Sequence, residues 1–252
     1  MGLLVARRGI LAAGSSSGSA PSGDWDTEVA ADNPFAWWKF TETSGSTAAD
    51  EELNHDGTVF GADLNVGGVV DSAVAFDGTD DYIDVGTLGT LGSSMSAGST
   101  WEAILRNDDS GQEMPYGVWI PNETQIRLRV NTPAAGKLSF FWAGAGSDAR
   151  LADTDDAVLG SGFHHVAVKV LSPSDAEILV DGVKVDVSLR TSPSSGSTGA
   201  STNFAGPFFI GARNSDGSAG FFWDGVMDEF VTYDHLVSDA RLLVHAQAAG
   251  LA

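Results

Sequence analysis

Residues 72–86, SAVAFDGTDDYIDVG, decide how the rest of the chain is read. Two short runs, 72–78 and 82–86, carry Val, Phe, Tyr and Ile of the kind that fills strands, and a Gly and three Asp lie at and between their ends. Gly and Asp are turn formers, so the segment predicts two strands joined by a tight connection. Working outward, the same rhythm continues from Pro34 almost to the C-terminus. Strands are expected over 34–42, 58–62, 72–78, 82–86, 99–106, 116–121, 124–131, 137–144, 163–171, 176–180, 183–189, 207–213 and 225–234. Thirteen short strands with turn signals between them predict an all-β, antiparallel β-sandwich of the jelly-roll type. Val180-Asp181-Gly182-Val183 is the clearest local element, because Asp-Gly supplies the positive φ angles of a type I′ hairpin. Ser238 is placed to cap a short C-terminal helix over 239–249, with Gly250 just beyond its end.

Composition agrees. Glycine is abundant, 31 of 252 residues, which disfavours a helical bundle. Cysteine is absent, which excludes disulfides, zinc thiolate sites and cysteine nucleophiles, so any metal must be oxygen-liganded. No apolar run reaches the length of about 18 residues that a membrane-spanning helix needs. The net charge of −21 repels nucleic-acid phosphates and anionic lipid surfaces, so neither is an expected partner. Asp outnumbers Glu 25 to 9, in keeping with a protein rich in turns.

The first 25 residues differ from the remainder. MGLLVARRGILAAG is apolar and basic, and a flexible tract, GSSSGSAPSG, follows it over 14–23. Residues 1–25 carry a net +1 and the body a net −22. Arg7 and Arg8 interrupt the apolar stretch that a secretory signal requires. The division expected is a basic anchoring arm with its linker, 1–25, and one sandwich domain, 26–252. The Ser/Thr/Gly-rich stretch 191–202 reads as an exposed loop inside that domain.

The quoted stretch resembles the strand-pair signature of laminin-G-like, concanavalin A-type lectin/glucanase domains. Further landmarks follow in that family's order: AWWKFTETSGSTAADEELNHDGT, FHHVAVKV with the ILVDGVKV hairpin, FFIGAR, and the closing FFWDGVMDEFVTYDHLVSDARLLVHAQAAG. Together they span 34–250. The basic start, EVAADNPFAWWKF and LVSDARLLVHAQAAG also resemble the versions of this domain found in tailed-phage virion proteins. The resemblance implies a concanavalin A-like fold and a lectin-like domain.

Fold does not give function, so the sites are weighed residue by residue. The glucanases of this family share an E-x-D-x-x-E strand, which this chain lacks. Its nearest acidic strand, Met227-Asp228-Glu229-Phe230, alternates one carboxylate per face and places Asp228 in phase with Val226 and Phe230. No catalytic residues are expected. His164 shares the phase of Val166, Val168 and Val170 and is expected in the core, and His165, in phase with Lys169, in solvent. Calcium is the metal these oxygens suit, with Asp50, Asn54 and Asp56 in one loop, Asp77, Asp80 and Asp81 in another, and Asp228 as candidate ligands. The bland alternative is that these carboxylates accept turn hydrogen bonds.

For a glycan or protein partner, IRLRV puts Arg127 and Arg129 together on the face opposite Ile126, Leu128 and Val130, where they are able to receive acidic sugars or a carboxylate. In KLSFFWAG, Phe141 lies on one face and Trp142 on the other, and both are candidates for sugar contact. The leading expectation is a virion-surface protein of a tailed phage, present in multiple copies or as a homo-oligomer. It would be anchored to other virion proteins through Arg7 and Arg8, with host surface glycan as its ligand. A secreted or cell-surface carbohydrate-binding module is the alternative, and a glycan-active enzyme ranks third.

Overall fold

The computed structural model of the protein describes residues 23–91, 98–120, 125–143, 149–191, 204 and 206–252. The chain enters through a short helix, α1 (Trp25–Ala30), and continues through β1 (Ala36–Trp38), β2 (Thr47–Ala48), β3 (Gly57–Phe60), β4 (Asp63–Gly67), β5 (Ser72–Asp77) and β6 (Tyr82–Asp84). Its middle forms β7 (Ser99–Asn107), β8 (Glu113–Trp119), β9 (Gln125–Val130), β10 (Leu138–Ala143), β11 (Arg150–Thr154), β12 (His164–Ser172) and β13 (Asp175–Val180). The last third gives β14 (Val183–Val185), β15 (Val187–Thr191), β16 (Phe209–Ile210), β17 (Arg213–Ser215), β18 (Ser218–Gly220), β19 (Asp224–Tyr233) and α2 (Asp239–Ala248).

These strands build two facing sheets. The smaller runs β14-β13-β12-β7-β19-β5-β4, with β1 also paired to β19. The larger runs β15-β11-β10-β9-β8-β16-β6-β3-β2, and β17 joins β8 while β18 closes a hairpin on β17. Nearly all pairings are antiparallel; β17 on β8 is parallel. The two-residue period of each strand sends one set of side chains into the space between the sheets. That set includes Trp101, Ala103 and Leu105 of β7, Ile126, Leu128 and Val130 of β9, Leu138, Phe140 and Trp142 of β10, and Val166, Val168 and Val170 of β12. Tyr116, Phe208 and Phe230 pack ring on ring at its centre. Each Val, Leu, Ile or Phe among them contributes about 1.5–3 kcal/mol on removal from water.

A second apolar layer lies on the outer face of the smaller sheet, where Trp25 and Val29 of α1 and Leu242 of α2 cover Trp37, Ile104, Ala167, Leu179, Val231 and Tyr233. Local chemistry explains both helices. Asp24 accepts a hydrogen bond from the Thr27 amide, and Asp26 and Glu28 favour the positive end of the α1 dipole. Ser238 accepts from the Arg241 amide, and Gly250, at φ +74°, follows the last turn of α2.

The sandwich and the C-terminal helix are as the sequence predicts, and the Asp181-Gly182 hairpin has φ angles of 51° and 73°. Several boundaries differ. Trp25, placed in the linker on composition, opens α1 and is buried. The single strand expected over 183–189 is two strands, β14 in one sheet and β15 in the other, so the chain crosses the sandwich at Asp186. The run 207–213 likewise breaks at Gly211, whose φ of +81° and contact with the Phe76 ring leave no room for a Cβ. Both β4 and β11 went unpredicted: β4 carries a positive φ at Asn65 and a register shift, and β11 is short and polar in sequence.

Candidate functional site

The outer face of the larger sheet gathers the unusual side chains. Register places Thr58, Asp84, Phe209, Gly117, Arg127, Phe141, Leu151 and Arg190 side by side across seven consecutive strand pairings. Arg213 of β17 also stands beside Gly117. On this face the Phe60 and Tyr82 rings stack at 4.6 Å, and Tyr82 meets Phe209 at 4.7 Å. Phe60 and Phe221 remain exposed. The Arg213 guanidinium lies 4.2 Å from the Phe221 ring centroid and 5.7 Å from that of Trp119, and the Arg127 guanidinium lies 3.7 Å above Phe141.

Charge is concentrated here. Arg129 donates to the Ser139 hydroxyl at 2.7 Å and Arg213 to the Ser215 hydroxyl at 2.9 Å, and Arg190 pairs with Asp153. Arg127 donates to none of the described residues, and its Nε and Nη1 are shielded from water. Burial pushes Arg127 down to about 9, and the charges of Arg213 and Arg129 push the same way. Arg129 and Arg213 are also lowered, burial being the main cause. Arg127 and Arg213 have no carboxylate partner among the described residues, whereas Arg129 feels the charge of Asp153.

The structure thus brings Arg127 and Arg129 to one face, as their alternation predicts, and adds Arg213, which only the long-range pairing of β17 with β8 reveals. Phe141 shares that face but is buried beneath Arg127. Trp142 belongs to the interior between the sheets and is 0% exposed, which corrects its reading as a sugar contact. Phe60, Tyr82, Trp119 and Phe221 were missed; each sits in a strand or turn whose outward phase is visible only once the register is known. Arg7 and Arg8 lie outside the described residues.

Among the metal candidates, Asp77, Asp80 and Asp81 converge, with one oxygen of each within 4.8 Å of the others. Asp81 accepts from the Asp77 amide, and Asp77 accepts from the Thr79 amide. Gly61 passes so close that a Cβ there would meet the second Asp81 oxygen at 1.9 Å. Burial raises Asp81, and the charges of Asp77, Asp80 and Asp63 add to it. The other candidates serve the backbone. Asp50 accepts from the amides of Trp37, Glu52, Asn54 and His55, Asp56 accepts from the Asp50 amide, and the Asn54 side chain donates to the Glu52 carbonyl. Asp228 accepts from the amides of Val69 and Val70.

The acidic strand departs from simple alternation. A register shift between Met227 and Glu229 puts both Met227 and Phe230 in the sandwich core, so Asp228 is not in phase with Phe230 as expected. Glu229 accepts from the Trp37 indole at 2.6 Å, and burial, with the nearby Asp228 charge, raises it well above the ordinary carboxylate range. Both side chains are 0% exposed. The histidine expectations also reverse. His165 is buried against Glu102, and His164 is half-buried at the strand end, where it meets Asp181 at 2.8 Å.

With this geometry established, likeness to known proteins becomes informative. A family model described as the concanavalin A-like lectin/glucanases superfamily matches residues 77–242. No curated protein matches the sequence. Among solved structures, domain 4 of AbnA, an extracellular GH43 arabinanase from Geobacillus stearothermophilus, in complex with arabinotriose, aligns with a TM-score of 0.60 at 16% identity, covering 84% of this chain and 98% of that one. Trypanosoma rangeli sialidase in complex with 2,3-difluorosialic acid aligns with a TM-score of 0.55 at 14% identity, over 84% of this chain but only 32% of the sialidase. The receptor-binding domain of botulinum neurotoxin C/D mosaic serotype aligns with a TM-score of 0.57 at 9% identity, over 85% and 51%. Likeness at these identities establishes the fold.

Proposed function

Because the chain belongs to the concanavalin A-like lectin/glucanases superfamily, we propose that it is a non-catalytic, carbohydrate-binding sandwich displayed on the surface of a tailed-phage virion. The observation that carries the binding role is the outer face of the larger sheet. The exposed Phe60 ring stacks on Tyr82 there, Tyr82 packs in turn on the buried Phe209, and the face also carries Arg127 and Arg213, which lack carboxylate partners among the described residues. Aromatic faces accept the C–H edges of sugar rings, and guanidinium forks hydrogen-bond their oxygens.

The absence of catalysis is supported by burial: Asp228 and Glu229 are sealed from solvent, so no glycosidic bond can be placed between them. The virion setting rests on the opposite charges of arm and body, with the arm as attachment to other virion proteins and many copies presented outward. Asp77, Asp80 and Asp81 are proposed to hold a structural calcium ion. Likeness to domain 4 of AbnA, which was solved with arabinotriose, favours as second reading a secreted or cell-surface carbohydrate-binding module.

A glycan array probed with the full chain tests the binding role, and Phe60→Ala with Tyr82→Ala should abolish the signal. An array without signal overturns it. Detecting the protein by mass spectrometry in purified phage particles, rather than in culture supernatant, decides between the virion and secreted readings. Release of reducing sugar that disappears in Asp228→Asn or Glu229→Gln would overturn the non-catalytic assignment.

A further inference from the structure

We infer that the carbohydrate recognised on this face is an acidic one, whose carboxylate is held between Arg127 and Arg213 above Gly117. The inference rests on the carbohydrate-binding reading and specifies the class of sugar.

Three features of the sheet support it. The first is the slot itself. Arg127 on β9 and Arg213 on β17 flank Gly117 on β8 in register. Neighbouring strands lie about 4.8 Å apart, so the two arginine backbones are roughly 10 Å apart with the bare Gly117 position between them. A Cβ at residue 117 would come within 2.5 Å of the Arg127 Cβ and 2.9 Å of the Ile126 carbonyl, so no other residue fits there and the slot floor stays bare. The second is unspent donor capacity. Nε and Nη1 of Arg127 and Nε of Arg129 are shielded from water without an acceptor. Shielded guanidinium donors without acceptors are costly, and arginine normally finds a carboxylate or carbonyl. In a chain with 34 acidic residues, Arg127 and Arg213, close enough for Arg213 to depress the ionisation of Arg127, have no carboxylate partner among the described residues. The third is the setting. Phe141 beneath Arg127, and Trp119 and Phe221 beside Arg213, orient the guanidinium planes, and the stacked Tyr82 and exposed Phe60 rings on the same face offer a surface for the remainder of the sugar.

A planar carboxylate matches the guanidinium fork in shape as well as charge, which a neutral hydroxyl does not. Sialic acid and uronic acids carry such a group. The attraction between the guanidinium slot and a carboxylate is electrostatic, so binding weakens with salt.

The experiment compares the full chain on an array holding sialylated, uronate, sulfated and neutral glycans, followed by calorimetry with a carboxylated glycan that binds and its neutral counterpart. The expected result is at least tenfold tighter binding of the carboxylated member, lost in Arg127→Met and in Arg213→Met and weakened by 0.5 M NaCl. Arg127→Met is also expected to raise Tm in the absence of sugar, because it removes a shielded, unpaired charge; a residue whose role is only to brace the sheet would lower it. Equal affinity for acidic and neutral glycans, or preference for sulfated over carboxylated ones, overturns this inference and leaves carbohydrate binding standing. No binding to any glycan overturns both.

Discussion

Nε2 of His165 lies 2.8 Å from an oxygen of Glu102, and neither side chain reaches solvent. The same carboxylate receives Nδ1 of His245 at 3.1 Å and the Tyr233 hydroxyl. His245 comes from α2, and its other nitrogen meets Asp32 at 3.0 Å. Arg241, one turn earlier on α2, binds Asp32 at 2.8 Å and Glu28 of α1 at 2.7 Å. The network therefore ties both helices to the centre of the smaller sheet, and Glu102 is its hub. Removing one member of a buried ion pair leaves its partners unmatched and costs about 3–5 kcal/mol. Glu102→Ala should lower stability in urea unfolding by that order. A loss under about 1 kcal/mol would show that the helices are held by Trp25 and Leu242 packing alone.

The network also sets the response to pH. Burial by itself would push His245 down, but the Glu102 charge and hydrogen bond outweigh it, so His245 titrates above its ordinary value of 6.5. Its contribution to stability is complete below about 6.5 and is lost as pH rises through the raised value. Burial raises Glu113 to about 7, with Asp109 adding to the effect, so the folded state gains nothing from its ionisation and again weakens as pH rises from about 4.5 to 7. For Glu102 the opposite holds: burial would raise it, the charge of His245 and the hydrogen bond from His165 lower it more, and its contribution fails only in strong acid. Tm should therefore fall as pH rises above about 4.5, first through the Glu113 window that ends near 7 and further as His245 loses its proton above 6.5. His245→Gln should flatten that fall. A Tm that climbs from pH 5 to 8 would contradict the argument.

The packing of α1 separates the arm from the body. Trp25 is 1% exposed and stands edge-on to His165 and His245 at 5.8 Å, and Asp24 caps the helix. A chain starting at Gly23 should keep the Tm of the full chain. One starting at Asn33 loses Trp25, Val29, Glu28 and Asp32 together, exposing Trp37, Leu242 and the polar network, and should melt many degrees lower or fail to fold. Equal melting of both truncations would mean that α1 adds nothing to the fold.

What could be read directly from the sequence was local. The Asp181-Gly182 turn, the Ser238 cap and the outward phase of Arg127 and Arg129 each depend on residues a few positions apart, and each is found where expected. Errors arose where distant segments decide the outcome. Alternation correctly sets His165 and Lys169 apart from Val166, but it says only that they face away from that core; α1 and α2 cover that side, so both are buried. Asp228 lost its expected phase to a bulge that period-2 reading cannot see. Arg213 joined the site through a parallel pairing of segments about a hundred residues apart.

Calcium binding by Asp77, Asp80 and Asp81 is the expectation most open to direct test. These carboxylates stand within 4.8 Å of one another on the turn between β5 and β6, and hard oxygen ligands on a turn suit a cation that takes six to eight of them, water included. Burial holds Asp81 above its ordinary value, and repulsion by Asp77, Asp80 and a fourth carboxylate, Asp63, adds to it. A divalent ion would relieve that repulsion, and because only the folded chain assembles the cluster, binding stabilises it by mass action, about 2.7 kcal/mol at a hundredfold excess over Kd. Calcium should thus raise Tm more than sodium chloride of equal ionic strength. Asp80→Asn should remove the difference, whereas Asp56→Asn should leave it intact, since Asp56 already serves the Asp50 amide. Identical melting in calcium and in chelator would show that the three carboxylates act only as turn residues, accepting the amides of Asp77 and Thr79.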